Sequence, residues 1–179
     1  MEQTLVKAPI LETPRLTLQG HTPEDFESCA TMWGDINFVK YTFRVPSTRE
    51  ESWTRFLRYF GHWQVNGFGY WVIKDRSTGE FIGEAGFADY KRNMTPSIEG
   101  RPEAGWGITS HQQGKGYASE AMTCITQWAD SHLSAATTVC IIDPEHQASI
   151  RVANKMGYHP IGIASYLGDN VNLYERKSA

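Results

Sequence analysis

The segment Gln113-Gly114-Lys115-Gly116-Tyr117-Ala118-Ser119-Glu120-Ala121 constrains this chain more than any other. It follows Glu103-Ala104-Gly105-Trp106-Gly107-Ile108-Thr109, which reads as a strand with two internal glycines. It opens a helix in which Tyr117, Ala121, Ile125 and Trp128 share one face, and the apolar strand Val139-Cys140-Ile141-Ile142 comes next. Strand, turn, helix and strand in that order make a β-α-β unit with parallel strands. A glycine turn leading into a helix offers successive backbone N–H groups and the positive end of the helix dipole. Side chains larger than hydrogen would block close approach, so the turn suits a phosphate or pyrophosphate.

Two well-known phosphate loops do not fit. The dinucleotide fingerprint needs a third glycine where Ser119 stands, and too little chain follows for that fold. The nucleotide-triphosphate loop needs Ser or Thr after its lysine, whereas Lys115 precedes Gly116.

The rest of the chain supplies an antiparallel front half. Arg15-Leu16-Thr17-Leu18 reads as the first strand. Thr22-Pro23-Glu24-Asp25 starts a helix running to about Gly34, with Phe26, Cys29, Ala30 and Trp33 on its buried face. Ser47 with Glu50 forms a capping box for a second helix that presents Trp53, Phe56, Leu57 and Phe60. Tyr70 to Ile73 and Phe81 to Phe87 flank the turn residues Asp75 to Gly79 as a hairpin, and a polar loop of about a dozen residues starts at Asp89. Gly105 and Gly107 predict a bulge or a close backbone approach. A short helix with Ile150, Ala153 and Met156 ends at Gly157, and Tyr158 to Ile163 and Val171 to Glu175 finish as strands. The expectation is one mixed α/β domain over residues 1–179, with a ligand where the sheet changes direction between Thr109 and Val139.

Composition narrows the function. At 179 residues a domain buries about 68–70% of its unfolded surface, so it folds without disulfide or metal staples. Lys+Arg 17 against Asp+Glu 20 gives a net charge of -3 with no basic run, which argues against nucleic-acid or anionic-membrane partners. Glu2, Lys7 and Glu12 break up the N-terminus, no stretch approaches a membrane span, and the expected location is cytoplasmic. Cys29, Cys124 and Cys140 fit reduced buried thiols. The six histidines, His21, His62, His111, His132, His146 and His159, lack metal-ligand spacing, so no metal is expected. No nucleophile elbow of the Gly-x-Ser-x-Gly kind occurs.

Gln113-Gly114-Lys115-Gly116-Tyr117-Ala118 matches every fixed position of the Q/R-x-x-G-x-G/A pyrophosphate signature of the GNAT N-acetyltransferase superfamily, which the chain resembles. Thr13 to Leu18 is similar to the Thr-x-Arg-Leu-x-Leu opening of the branch that contains the ribosomal-protein (RimJ/RimL-like) N-terminal acetyltransferases. Gly79-Glu80-Phe81-Ile82-Gly83 and Gly114 to Ala121 match two further strings of that branch. The resemblance runs from about Leu11 to Tyr158. It implies a sheet splayed at an acyl-CoA site, acetyl-CoA as co-substrate and an amine acceptor. It implies donor contacts from Ile108, Thr109, Gln113, Gly114, Lys115, Gly116, Tyr117, Ala118, Ser119, His146 and Ser149.

The chain departs from the family at two positions. His146 stands where relatives carry an asparagine that steadies the pantetheine arm, and Ala153 stands where many carry a tyrosine general acid, which excludes a tyrosine acid there.

The acceptor must attack as its free base. A lysine amine with pKa near 10.4 costs roughly 4 kcal/mol to deprotonate near pH 7.4, against under about 1 kcal/mol for a peptide α-amine. The thiol leaves readily, so positioning matters more than acid catalysis. Glu103 is the first candidate base, its other readings being a solvated strand-end carboxylate or a partner of Arg101, and Glu84 is the second. Ser149 either donates to the departing thiolate or caps its helix. Tyr41, Phe43 and Tyr90 fall in loops, as packing residues or as the lining of an acceptor pocket. The expected activity is acetyl transfer to a primary amine, a protein N-terminal α-amine or a small molecule, by a monomer or homodimer. The competing expectation is a non-catalytic acyl-CoA-binding sensor or partner-recognition domain.

Overall fold

The computed structural model describes residues 6–179. Of the charges in the N-terminal reading, Glu2 lies outside the described residues. The strands are β1 (Leu11–Glu12), β2 (Leu16–Gln19), β3 (Tyr70–Asp75), β4 (Phe81–Ala88), β5 (Met94–Thr95), β6 (Glu103–Ile108), β7 (Thr137–Ile142), β8 (His159–Tyr166) and β9 (Asp169–Lys177). The helices are α1 (Phe26–Trp33), α2 (Ile36–Val39), α3 (Arg49–Asn66), α4 (Tyr117–His132) and α5 (Gln147–Lys155). The strands form one sheet in the order β1-β2-β3-β4-β6-β7-β9-β8-β5. No helix of the described residues is long and apolar enough to cross a membrane.

The front half is antiparallel, as the hairpin read from the sequence predicts. Leu16 and Leu18 of β2 are fully buried, and β4 is buried along nearly its whole length because helices cover both of its faces. The hairpin turn is held by Asp75, which accepts from the Ser77 and Thr78 amides and the Ser77 hydroxyl. Those bonds bring its pKa down to about 2. The main core lies between α4 and the sheet, where Trp71, Phe87, Met122 and Ile125 are buried.

The second helix departs from the sequence reading by one residue. Its capping box is Thr48 with Glu51 rather than Ser47 with Glu50: the Thr48 amide donates to Glu51 Oε2 at 2.7 Å, and the Glu51 amide donates to Thr48 Oγ1 at 3.2 Å. Tandem glutamates offer two registers, and Ser47 is taken up by the end of α1, donating its amide to Trp33 O. The buried stripe of α3 is Ser52, Phe56, Tyr59 and Trp63, whereas Trp53, Leu57 and Phe60 are exposed. Tyr59 and Trp63 win the inner face because their polar tips find partners there, Glu84 for the hydroxyl and Tyr70 O for the indole.

The loop from Asp89 contains β5, which pairs with β8. β1 and α2 are further short elements that periodicity does not reveal, being two and four residues long. Cys29 and Cys140 are buried free thiols and Cys124 is half-buried.

Candidate active site

The parallel pairing of β6 with β7 is limited to Glu103 against Val139, supported by a bond from the Val139 amide to Pro102 O at 3.0 Å. Beyond that point the two strands diverge. On its other side β6 is paired with β4 in unbroken register, from Gly83 opposite Ile108 to Ala88 opposite Glu103. The two glycines of β6 are therefore close approaches and not a bulge. A Cβ on Gly105 would collide with the Tyr70 hydroxyl, and one on Gly107 with the Phe38 ring.

At the C-terminal end of β6 the chain turns through Gln113 to Gly116 into α4. Gly114 and Gly116 have φ of 77° and 81°, the left-handed region where glycine carries no steric penalty. The Glu120 amide donates to Gly116 O, so the amides of Tyr117, Ala118 and Ser119 precede the first bonded turn of α4. Gln113 to Gly116 are exposed, and a Cβ on Gly114 would meet nothing within 4 Å, which leaves the turn open for an anion. Gln113 Nε2 holds Ile108 O at 3.0 Å, and Lys115 Nζ donates to Gln112 Oε1 at 2.6 Å. Thr109 is buried, and its hydroxyl has no partner among the described residues.

The turn is braced from the residue just before β2. Arg15 Nη1 donates to Lys115 O at 3.0 Å, its Nε donates to Glu120 Oε2 at 2.7 Å, and its guanidinium lies 4.5 Å over the Tyr117 ring. Burial pushes the Glu120 carboxyl up, but bonds from Thr13 and from the Arg15 amide and side chain outweigh that and hold it below the usual range.

A cavity of about 900 Å³ opens between the diverging strands. Glu103, His146 and Ser149 all face it, and so do Tyr41, Phe43 and Tyr90, of which Tyr90 also packs against the cluster of Phe26, Phe56 and Tyr59. Glu103 is buried and gripped by Arg92, Nε to Oε2 at 2.6 Å and Nη2 to Oε1 at 2.8 Å. The expected partner, Arg101, instead pairs with Glu175. Burial works against the Arg92 charge, and the bonds and charge of Glu103 more than offset it, so the guanidinium sits well above its ordinary pKa.

Glu84 lines the same cavity in a different setting. Oε1 accepts from Trp33 Nε1 at 2.7 Å and from the Tyr59 hydroxyl, while Oε2 has His21 Nε2 at 3.4 Å and Cys29 Sγ at 3.6 Å. Burial raises this carboxyl, but His21, Tyr59 and Trp33 hold it below the usual value.

Ser149 is buried in the first turn of α5, with Oγ 3.3 Å from Nε2 of the N-cap residue His146. The His146 ring stacks on Tyr41 at 4.5 Å between centroids, and burial lowers its pKa, with Lys40 lowering it further and Asp143 opposing.

A family model for the acetyltransferase (GNAT) domain matches residues 15–159. The chain belongs to the GNAT acetyltransferase family. Two relatives in the bacilli are similar to it. YkkB of Bacillus subtilis is 32% identical over 113 residues, and that match spans 63% of either chain. An N-acetyltransferase named p20 of Bacillus licheniformis, itself uncharacterized, is 27% identical over 86% of this chain and 84% of its own. A GnaT-family acetyltransferase structure from Bordetella pertussis superposes with a TM-score of 0.83 at 27% identity, covering 94% of this chain and 99% of the other. The ribosomal L7/L12 α-N-protein acetyltransferase RimL, solved in complex with coenzyme A, shares the fold at a TM-score of 0.76 and 17% identity over 94% of this chain and 98% of its own. As a GNAT protein the chain is an acetyl-CoA-dependent acetyltransferase.

Sequence reasoning missed Arg15 and Arg92 as site residues. Arg15 stands inside the Thr-x-Arg-Leu string and was legible there as more than a strand residue. Arg92 had no signal, because a loop residue meets Glu103 only through the fold.

Proposed function

We propose that this GNAT protein, read as one acyl-CoA N-acyltransferase domain, moves an acetyl group from acetyl-CoA to a primary amine by direct attack in a ternary complex. The observation that carries this reading is the divergence of β6 from β7 beside a glycine turn of left-handed residues. Acetyl-CoA supplies an activated thioester and a pyrophosphate. The turn amides of Gln113 to Ser119 would receive the pyrophosphate, and the β6 edge near Ile108 and Thr109 would receive the amide-bearing arm. His146 would steady that arm where relatives use asparagine.

The amine nitrogen attacks the thioester carbonyl, the C–N bond forms, the C–S bond breaks, and the amine's proton passes to Glu103 directly or through water. Lone-pair counting favours Glu103 over Glu84. A carboxylate has about four acceptor positions. Glu84 meets four donor groups, whereas Glu103 meets two and keeps capacity for a proton. Ser149 donates to the departing thiolate when His146 holds its proton on Nε2 and gives that bond to Ser149 Oγ. The Glu103 pair and the low cost of an α-amine support acceptors that need little help in deprotonation, such as protein N-termini or small amines.

Thermal unfolding with acetyl-CoA, CoA, ATP and NAD, followed by an amine screen, tests this reading. At 100 times the dissociation constant a ligand adds about 2.7 kcal/mol, a rise of several degrees for a chain of this size. Shifts with both CoA species but not with ATP or NAD, followed by turnover, are expected. Shifts without turnover of any amine would favour the non-catalytic acyl-CoA-binding reading. No shift would remove the donor site.

A further inference from the structure

Resting on that reading of the site, we infer that the acceptor is an amine carrying its own oxyanion, a carboxylate or a phosphate, which Arg55 and Arg58 receive in the cavity. The charged side chains lining the cavity are four cations, Arg55, Arg58, Lys91 and Arg92, and three carboxylates, Glu84, Glu103 and Asp143. The carboxylates are already engaged: Glu103 by Arg92, Asp143 by Arg44 at 3.0 Å, and Glu84 by its four donors. Lys91 is taken by Asp89 at 2.7 Å and Glu99 at 3.3 Å.

Arg55 and Arg58 are left. Seven of the ten arginines, at positions 15, 44, 49, 76, 92, 101 and 176, have a carboxylate within ion-pair distance. Among the described residues Arg55, Arg58 and Arg151 do not, and two of those three line one cavity. They sit one turn apart on α3.

The setting of Arg55 is that of a built anion receptor. Its guanidinium is half-buried, 3.8 Å over the Trp33 ring and 5.3 Å from the Phe43 centroid, and Nη1 donates to Ser47 Oγ at 3.0 Å. Stacking fixes the plane of the fork and leaves other N–H groups to donate. Burial lowers its pKa, Tyr59 and Glu84 oppose that, and the neighbouring Arg58 charge adds to it. Glu84 accepts the indole N–H of the same Trp33 and attracts Arg55 without bonding to it. An oxyanion between the two arginines relieves both the burial and the mutual repulsion, and it makes charge-assisted bonds of the strong kind.

The placement also joins this receptor to the proposed base. Arg58 lies 5.6 Å from the Tyr90 ring and Arg92, which holds Glu103, lies 4.6 Å over the same ring. An acceptor with its anion at α3 therefore has its amine directed toward Glu103 when a few atoms separate the two groups.

Tethered analogues test this without needing turnover. Glycine and glycinamide are each joined through nitrogen to an acetyl linker on the CoA sulfur, and O-phosphoethanolamine and ethanolamine likewise. Their dissociation constants, with that of CoA, are measured by titration calorimetry. The anionic member of at least one pair should bind about tenfold tighter than its neutral twin, as expected for one charge-assisted contact. The glycine pair reports carboxylate and the ethanolamine pair phosphate. The gap should close in R55Q/R58Q while CoA affinity stays the same. R58Q alone, at an exposed position, should narrow it in a protein with unchanged unfolding midpoint. Neutral analogues binding as tightly as anionic ones, or a gap that survives both substitutions, overturns the inference while leaving the donor site intact. Failure of CoA itself to bind overturns the donor reading, and this inference with it.

Discussion

Thr13 and Glu120, 107 positions apart, are joined by a hydrogen bond of 2.6 Å from the Thr13 hydroxyl to Glu120 Oε1. Glu120 also accepts from the Arg15 amide at 3.0 Å and from Arg15 Nε at 2.7 Å. The connection between β1 and β2 and the glycine turn are thus two halves of one contact, and the turn's geometry depends on a residue outside it.

Replacing Glu120 by alanine removes three bonds to that carboxylate. With Arg15 partly exposed, a total cost of about 2 kcal/mol is expected, a fall in midpoint of roughly 4–8 °C. Arg15 then loses the anchor from which it holds Lys115 O, so CoA affinity should fall as well. Calorimetric titration of the folded variant with CoA checks this, and full affinity would show that the brace serves stability alone.

Gly114→Ala, Gly116→Ala and Gly79→Ala should each cost roughly 1–2 kcal/mol, since all three glycines have left-handed φ, 77°, 81° and 74°. The first two should also lose the stabilisation given by CoA, whereas Gly79→Ala, in the hairpin, should keep it. Melting curves with and without CoA separate backbone strain from ligand binding.

Glu103→Gln and Glu84→Gln should diverge. The Glu103 variant should keep CoA binding and lose 10²- to 10⁴-fold in kcat near neutral pH, the deficit shrinking as pH rises through the acceptor's own pKa. The Glu84 variant turns an acceptor into a donor facing Tyr59, Trp33, His21 and Cys29, costing about 3 kcal/mol and lowering the midpoint by roughly 6–12 °C. A parallel pH–rate profile for Glu103→Gln and the native chain would strip Glu103 of the base role.

Burial lowers the pKa of His62 and of His146, so the folded state holds both rings neutral. Their contribution is complete above about pH 6.5 and is lost as pH falls through that value toward the lowered folded pKa. The unfolding midpoint should therefore decline between pH 7 and 5.5, and His146→Asn should decline less. Equal slopes for the two proteins would show that His146 does not titrate in that window.

The glycine turn and the antiparallel pairing of the front half were legible because they are written in local spacing. Gln113 to Ser119 need one strand before them and one helix after. The acceptor side was not legible in the same way. Glu103 could be named from its place at a strand start, but its partner is Arg92 in a loop and not the nearby Arg101. The inner face of α3 was misread because apolar residues occur on two of its sides. Buried partners for Tyr59 and Trp63 decide between them, and those partners sit on β3 and β4. The β6 glycines permitted two readings, and the Tyr70 and Phe38 side chains that choose between them come from distant segments.

The single register pair between Glu103 and Val139 makes the sheet two plates on a common pivot. From Glu103 to Ile108 the lever arm is roughly 16 Å, at about 3.3 Å per residue. A rotation of about 5° at the pivot then moves the mouth of the cleft by roughly 1.4 Å over that arm, close to one carbon–carbon bond. Because Glu103 is itself the pivot residue, such a rotation would move the far end of the cleft while leaving the proposed base almost in place.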